Sequence, residues 1–169
     1  PIIFGALAAL ISLNTLASDC PQFYLSGQAP VFKVPAKIDQ ELCYSSFAVG
    51  YHYATKSAYY SAQHMTRSVL IAAKKLDRID NFHEEERLPI NARATLNDFR
   101  GSGFDRGHLT ANKDEGDRQG QFDSFSLANM VPQLHINNAG IWERAEGSVR
   151  SMALADGEAY VITGGIYAG

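Results

Sequence analysis

Asp105-Arg106-Gly107-His108 sets an imidazole two positions after a guanidinium, with a glycine between them. Downstream, Asn137-Asn138 opens a stretch in which Glu146 and Arg150 follow Asn138 by eight and twelve positions. Glu146 and Arg150 are i, i+4 neighbours, so on a helix they share a face and can pair. Eight residues rotate by about 800°, roughly 80° past two full turns, so Asn138 sits two turns below them. A strand bearing the histidine, packed on a helix bearing the asparagine, would form a small cleft with a neutral base, a hard oxygen ligand and two cations. That set suits hydrolysis of a phosphodiester. Histidine has the ordinary pKa of a base near neutral pH. Magnesium keeps most of its waters and takes one or two protein oxygens. Arginines offset the charge on five-coordinate phosphorus. The same residues also fit a plainer reading, in which Asp105-Arg106 is a surface pair and Asn138 caps a helix.

The elements that must position this set can be read from pattern. Residues 104–110 suggest a short strand, and 125–131 a second apolar segment ending at Pro132. Residues 138–152 carry Ile141, Trp142, Ala145, Val149 and Met152 on one face at helical spacing, which assigns Trp142 to the core beside Ile141 and Val149. Residues 46–55 alternate apolar and polar positions as a half-buried strand does. Thr66 can cap a helix running to about Leu76, with Val69, Leu70, Ala72, Ala73 and Leu76 as its apolar face. Residues 159–163 read as a buried strand stopped by Gly164-Gly165. Residues 77–97 and 113–123 are polar and read as loops, and 18–45, with three prolines, as an irregular arm.

Other motifs fall short. His83-Glu84-Glu85-Glu86-Arg87 lacks the second histidine of a zinc protease helix. Gly101-Ser102-Gly103 does not continue into a dinucleotide loop. His52, His64, His83 and His135 lack ligand spacing and read as surface or core histidines.

With 169 residues, 46% hydrophobic and 20% charged, the chain has ordinary globular usage for one domain. Fifteen Lys and Arg against 18 Asp and Glu give a charge of −3, which carries no nucleic-acid footprint. A polyanion must therefore be held by a local group of cations or by a metal. Residues 1–17 contain no charged residue and end in small residues near Ala17-Ser18, as the apolar core and cleavage region of a secretory signal peptide do. The alternative is an apolar first helix of the fold. A signal peptide implies an exported protein, periplasmic or secreted, with no membrane contact once it is removed. Cys20 and Cys43 are the only cysteines and are expected to pair in such a compartment, closing a loop worth about 3 kcal/mol.

Residues 48–167 resemble the DNA/RNA non-specific endonuclease family, most of all its small exported bacterial members. Three blocks carry the resemblance. They are Asp105 to Leu109 (DRGHL), Ser126 to Gln133 (SLANMVPQ), and Asn138 with Trp142 and Glu146; Tyr160 to Gly165 (YVITGG) also looks like the family's closing core strand. The resemblance implies an α+β fold, an antiparallel sheet core with a ββα-metal (His-Me finger) motif. It also implies DNA and RNA as substrates, and ends with 5′-phosphate and 3′-hydroxyl. By position, His108 matches the general base. Asn138 matches the one direct protein ligand of a Mg2+ ion, for which Mn2+ can substitute, and Glu146 matches the acid that holds a water of that ion. Arg106 and Arg150 match arginines near the phosphate, Asn129 an asparagine that orients the site, and Arg67 a further phosphate contact.

Thr110-Ala111 stands where Ala-Pro is usual, and Ala145 replaces a bulky aliphatic. Family members continue past the closing strand with further strands and a helix, so the sequence is expected to be part of a longer protein. The expected organisation is a signal peptide at 1–17, an arm at 18–45 and the endonuclease domain from 46 to 169. The competing reading is a catalytically silent nucleic-acid-binding or uptake module on the same fold. Oligomeric state leaves no trace in the sequence.

Overall fold

The computed structural model describes residues 18–32 and 37–165; the expected signal peptide lies outside the described residues. A four-stranded antiparallel sheet forms the centre. Its strands are β1 (Gln40–Cys43), β2 (Phe47–His52), β3 (Ser57–Thr66) and β6 (Glu158–Gly164), in the spatial order β1-β2-β3-β6. A two-stranded ribbon of β4 (Asp105–His108) and β5 (Met130–Gln133) lies beside it. The helices are α1 (Arg67–Ala73), α2 (Leu96–Phe99), α3 (Arg118–Ser124) and α4 (Glu143–Asp156). The architecture is α+β, as the sequence implied.

Strand alternation explains how the sheet is covered on both sides. Phe47, Val49 and Tyr51 of β2 point to one face, where they meet Leu42, Ala58, Leu88, Leu109, Ala128 and Val131. That cluster fastens the β4–β5 ribbon to the sheet. Ala48 points to the opposite face and joins Ala62, Tyr60, Phe23 and Tyr24 of the arm. The arm is tied there by the Cys20–Cys43 disulfide, as expected. It is also tied by Tyr24, whose hydroxyl donates to Glu41 at 2.7 Å.

Thr66 caps α1 by accepting from the Val69 amide at 3.3 Å, as its residue type predicts. Of the expected apolar face of α1, only Leu70 is buried. Three expectations are corrected. Residues 18–45 include strand β1, and residues 113–123 include most of α3, which starts at Asp117 accepting from the Gly120 amide. β6 is an edge strand with Tyr160 and Ile162 exposed, not a buried strand, because β3 is its only neighbour among the described residues. The long helix turns only Ala153 fully inward, with Val149 and Leu154 packed beside it, while Ile141 and Met152 are 67% and 62% exposed. No helix among the described residues is long and apolar enough to cross a membrane.

Candidate active site

The ribbon and the helix after it form a ββα unit, and the signature residues meet in it. His108 ends β4, opposite Met130 of β5. Gly107 precedes it because a Cβ there would stand 2.3 Å from the Gln133 side chain on the paired strand. Asn129 is fully buried and locks the chain just past His108. Its Oδ1 accepts from the Thr110 amide at 3.0 Å, and its Nδ2 donates to the carbonyls of Thr110 and Ser124, each at 2.9 Å. The Leu109 amide donates to the Asn129 carbonyl at 3.0 Å. These contacts fix the backbone at Thr110, two residues past His108.

Asn138 enters from a different direction. A π turn, Asn137–Trp142, leads into α4, so the regular helical register expected from Asn138 onward begins one turn late. Asn138 makes no cap. Its Nδ2 donates to Asp105 Oδ2 at 3.0 Å, and the same carboxylate oxygen lies 2.9 Å from His135 Nδ1. These hydrogen bonds, the one from Asn138 foremost, hold the Asp105 carboxyl below the usual range. With its amide nitrogen committed, Asn138 keeps its carbonyl oxygen for another partner. Trp142, expected in the core, instead lies half-buried and donates its indole N–H to the His108 carbonyl at 3.2 Å. The helix thus reaches back to the residue it faces.

A cleft of about 160 Å³ is lined by Arg106, His108, Asn138 and Glu146, with Arg78 and Lys113 beside them. His108 is buried between Phe82 and Phe125, whose ring centres lie 5.9 and 5.2 Å away. Its Nε2 is buried with no hydrogen-bond partner. Burial first, then the charges of Arg78 and Arg106, push its pKa down to about 3, so the imidazole is neutral. Arg106 stacks its guanidinium 3.9 Å above the Phe82 ring. Burial raises the Glu146 carboxyl to about 7, and Asp114 adds to the effect.

Two expected phosphate contacts are corrected. Arg67 lies at the far end of α4, donating to the carbonyls of Leu154 and Ala155 at 2.8 Å each, and does not line the cleft. Arg150 also stands outside the cleft. It is committed to buried Asp114 at 2.7 Å and reaches Glu146 at 3.9 Å, so it braces the acid rather than a substrate. Sequence reasoning missed Arg78, Asp105, Asp114 and His135. The acidic first letter of the DRGH block was the one available signal.

These residues suit a hard divalent cation. The cleft is lined by Asn138, whose carboxamide oxygen has no hydrogen-bond partner among the described residues, and by a half-buried carboxylate whose nearest cation is 3.9 Å away. The only tight group of three His, Cys, Asp or Glu ligands among the described residues is Cys20, Glu41 and Cys43, whose sulfurs are spent in the disulfide. A larger concavity of about 810 Å³ is lined by Tyr44, Glu85 and Arg87, which satisfy one another and bear none of the signature residues.

The model of the DNA/RNA non-specific endonuclease family matches residues 26–169. The chain belongs to that family. It is 34% identical over 125 residues to Nuclease C1 of Cunninghamella echinulata var. echinulata, covering 72% of this chain and 50% of that protein. It is 32% identical over 174 residues to a nuclease of Syncephalastrum racemosum, covering 99% of this chain and 54% of that one. Among solved structures, a chain in the crystal structure of the EndoG/EndoGI complex superposes with a TM-score of 0.70 at 26% identity, covering 78% of this chain and 55% of the other. The chain thus spans about half the length of these relatives. Family membership agrees with the ββα unit, in which the two distant blocks of the sequence converge.

Proposed function

We propose that the protein is a metal-dependent endonuclease that hydrolyses phosphodiester bonds of DNA and RNA without regard to the sugar. One observation carries this reading: His108, Arg106, Asn138 and Glu146, from separate blocks of sequence, line one cleft. Asn138 would hold a divalent cation, Mg2+ or Mn2+, through its free carboxamide oxygen, and Glu146 would hold a water of the ion. When bound, such an ion stabilises negative charge on the phosphate and the leaving oxygen. His108, neutral and lining the cleft, accepts a proton from a water. The resulting hydroxide attacks phosphorus, and the P–O3′ bond breaks. A solvent proton completes the 3′-hydroxyl, and the phosphate stays on the 5′ end.

A bound phosphate also places negative charge beside Arg78 and Arg106, the two cations that depress His108, which raises its basicity when substrate is present. Arg106 neutralises the phosphate, with Arg78, itself paired to Asp80, beside it, while Arg150, anchored on Asp114, stands 3.9 Å from Glu146. Contacts of this kind read the backbone and not the bases, which supports low sequence specificity. The disulfide supports residence in an oxidising compartment, so the protein is read as exported, periplasmic or secreted.

The test is cleavage of circular plasmid and of RNA in Mg2+, with and without chelator. His108→Ala should lower the rate by about 10²–10⁴-fold, the usual worth of a general base, with an unchanged circular dichroism spectrum. Retained cleavage by that variant defeats the assignment of the base. Binding by the wild type without turnover in either Mg2+ or Mn2+ favours the silent binding module.

A further inference from the structure

Next to the cleft lies a second hollow of about 470 Å³, large enough for a small ligand. The two share Arg78, Arg106 and Asn138, so they adjoin at these residues. The far wall of the hollow is built from Leu96, Phe99, Arg100 and Phe104. Phe104 is 45% exposed, although it directly precedes the strand that carries His108.

The segment that exposes it is a built turn. Gly101 and Gly103 both take positive φ, 69° and 81°. Between them, the Ser102 hydroxyl donates to the Phe99 carbonyl at 2.8 Å and accepts from the Phe104 amide at 3.1 Å. This turn follows α2, whose start is closed by reciprocal bonds between Thr95 and Asp98. The aromatic ring is therefore held at the surface by a short, hydrogen-bonded corner. Two of the three arginines here are also available. Arg100 and Arg106 make no side-chain hydrogen bond or ion pair among the described residues, whereas the two acids of the hollow are engaged, Asp80 with Arg78 and Asp105 with Asn138 and His135.

An exposed aromatic beside an uncommitted arginine, on a path leading to a phosphate-cutting cleft, is the arrangement that takes single-stranded nucleic acid. The ring accepts a base face, and the guanidinium accepts the backbone. We propose that this hollow is a subsite for an unpaired nucleotide adjoining the scissile link, with Phe104 stacking on the base and Arg100 holding its phosphate. The proposal rests on the endonuclease reading for the position of that link. A base in a duplex has both faces covered by its neighbours, so the subsite favours single strands, loops and frayed ends over intact duplex.

The test is fluorescence anisotropy in chelator, where turnover does not interfere, with two labelled decamers of equal charge: oligothymidylate and its abasic counterpart. The wild type should bind the intact decamer about tenfold more tightly, the worth of one base–aromatic stack. Phe104→Ala should erase that difference by weakening only the intact decamer, and Phe104→Trp should restore it. Arg100→Ala should weaken both decamers alike and reduce the salt slope by about one. The subsite is overturned if Phe104→Ala affects both decamers equally or neither, or if the wild type binds neither at micromolar protein. A protein that discriminates the decamers yet cleaves nothing in Mg2+ retains the subsite and loses the endonuclease reading. One that cleaves without base discrimination loses only the subsite.

Discussion

Two buried acidic sites in this molecule, one holding a single carboxylate and the other three, are treated in opposite ways. Glu85, buried within the 83–94 segment, has more donors than it needs. Arg87 forks onto both its oxygens at 2.8 Å, and the Tyr44 hydroxyl donates at 2.6 Å. Burial pushes its carboxyl up, but these bonds outweigh burial and hold it at about 2. Asp114, Glu115 and Glu146 have one arginine within reach, Arg150, and only Asp114 is hydrogen-bonded to it. Glu115 has Ser46 on one oxygen and nothing on the other. Burial raises all three, to about 6, 8 and 7. The first site spends its charges on the fold. The second is short of positive charge, and it borders the cleft proposed to take a cation. Burying carboxylates with few partners costs stability, and here that cost falls beside the cleft proposed to take a cation.

The largest expected effect breaks the satisfied site. Glu85→Ala should cost about 3 kcal/mol in urea unfolding, because it removes the buried acceptor that Arg87 and the buried Tyr44 hydroxyl both use. The same acid sets a pH dependence. Its folded value, about 2, lies below the ordinary 4.5, so its contribution is complete above about pH 4.5 and lost as pH falls toward 2. That window is worth about 3 kcal/mol and should vanish in the variant. A stability curve that is flat from pH 5 to 2 in the wild type would contradict the pairing.

The underpartnered cluster should respond to metal. Mg2+ or Mn2+ at about a hundred times its dissociation constant should add roughly 2.7 kcal/mol to the wild type. Asn138→Ala should show no such gain, and an equal rise in melting temperature in both proteins would move the ion elsewhere. The smallest effect is Glu146→Gln. It should leave the melting temperature in chelator unchanged or higher, while cleavage falls by about ten- to a hundredfold, as for a group that orients a metal site from outside it. A clear loss of stability would place Glu146 with Glu85 as a fold-serving acid.

What the sequence disclosed follows from how local each signal is. Thr66 announced its helix because a cap is a one-residue device whose partner lies three positions on. The convergence of His108 and Asn138 was legible because each sits in a block with its own pattern. Asp105 and Asp114 were passed over because their partners, Asn138 and Arg150, lie far away in the chain; Arg78 pairs with nearby Asp80, and only the fold sets it 5.0 Å from the Phe125 ring and on the cleft. Periodicity misassigned Ile141, Trp142 and Met152, because the π turn shifts the register at the helix start and the helix presents little more than Ala153, Val149 and Leu154 to the sheet. Arg67 and Arg150 do not line the cleft, and each guanidinium is held by a partner within the fold that no local pattern announces.

The glycine of the DRGH block bears on how portable such a motif is. Its missing side chain makes room for Gln133, a residue of the opposite strand that takes no part in the proposed chemistry. Grafting those four letters onto another scaffold would therefore import a vacancy without its filler. The transferable unit is the paired ribbon, with both strands carried together.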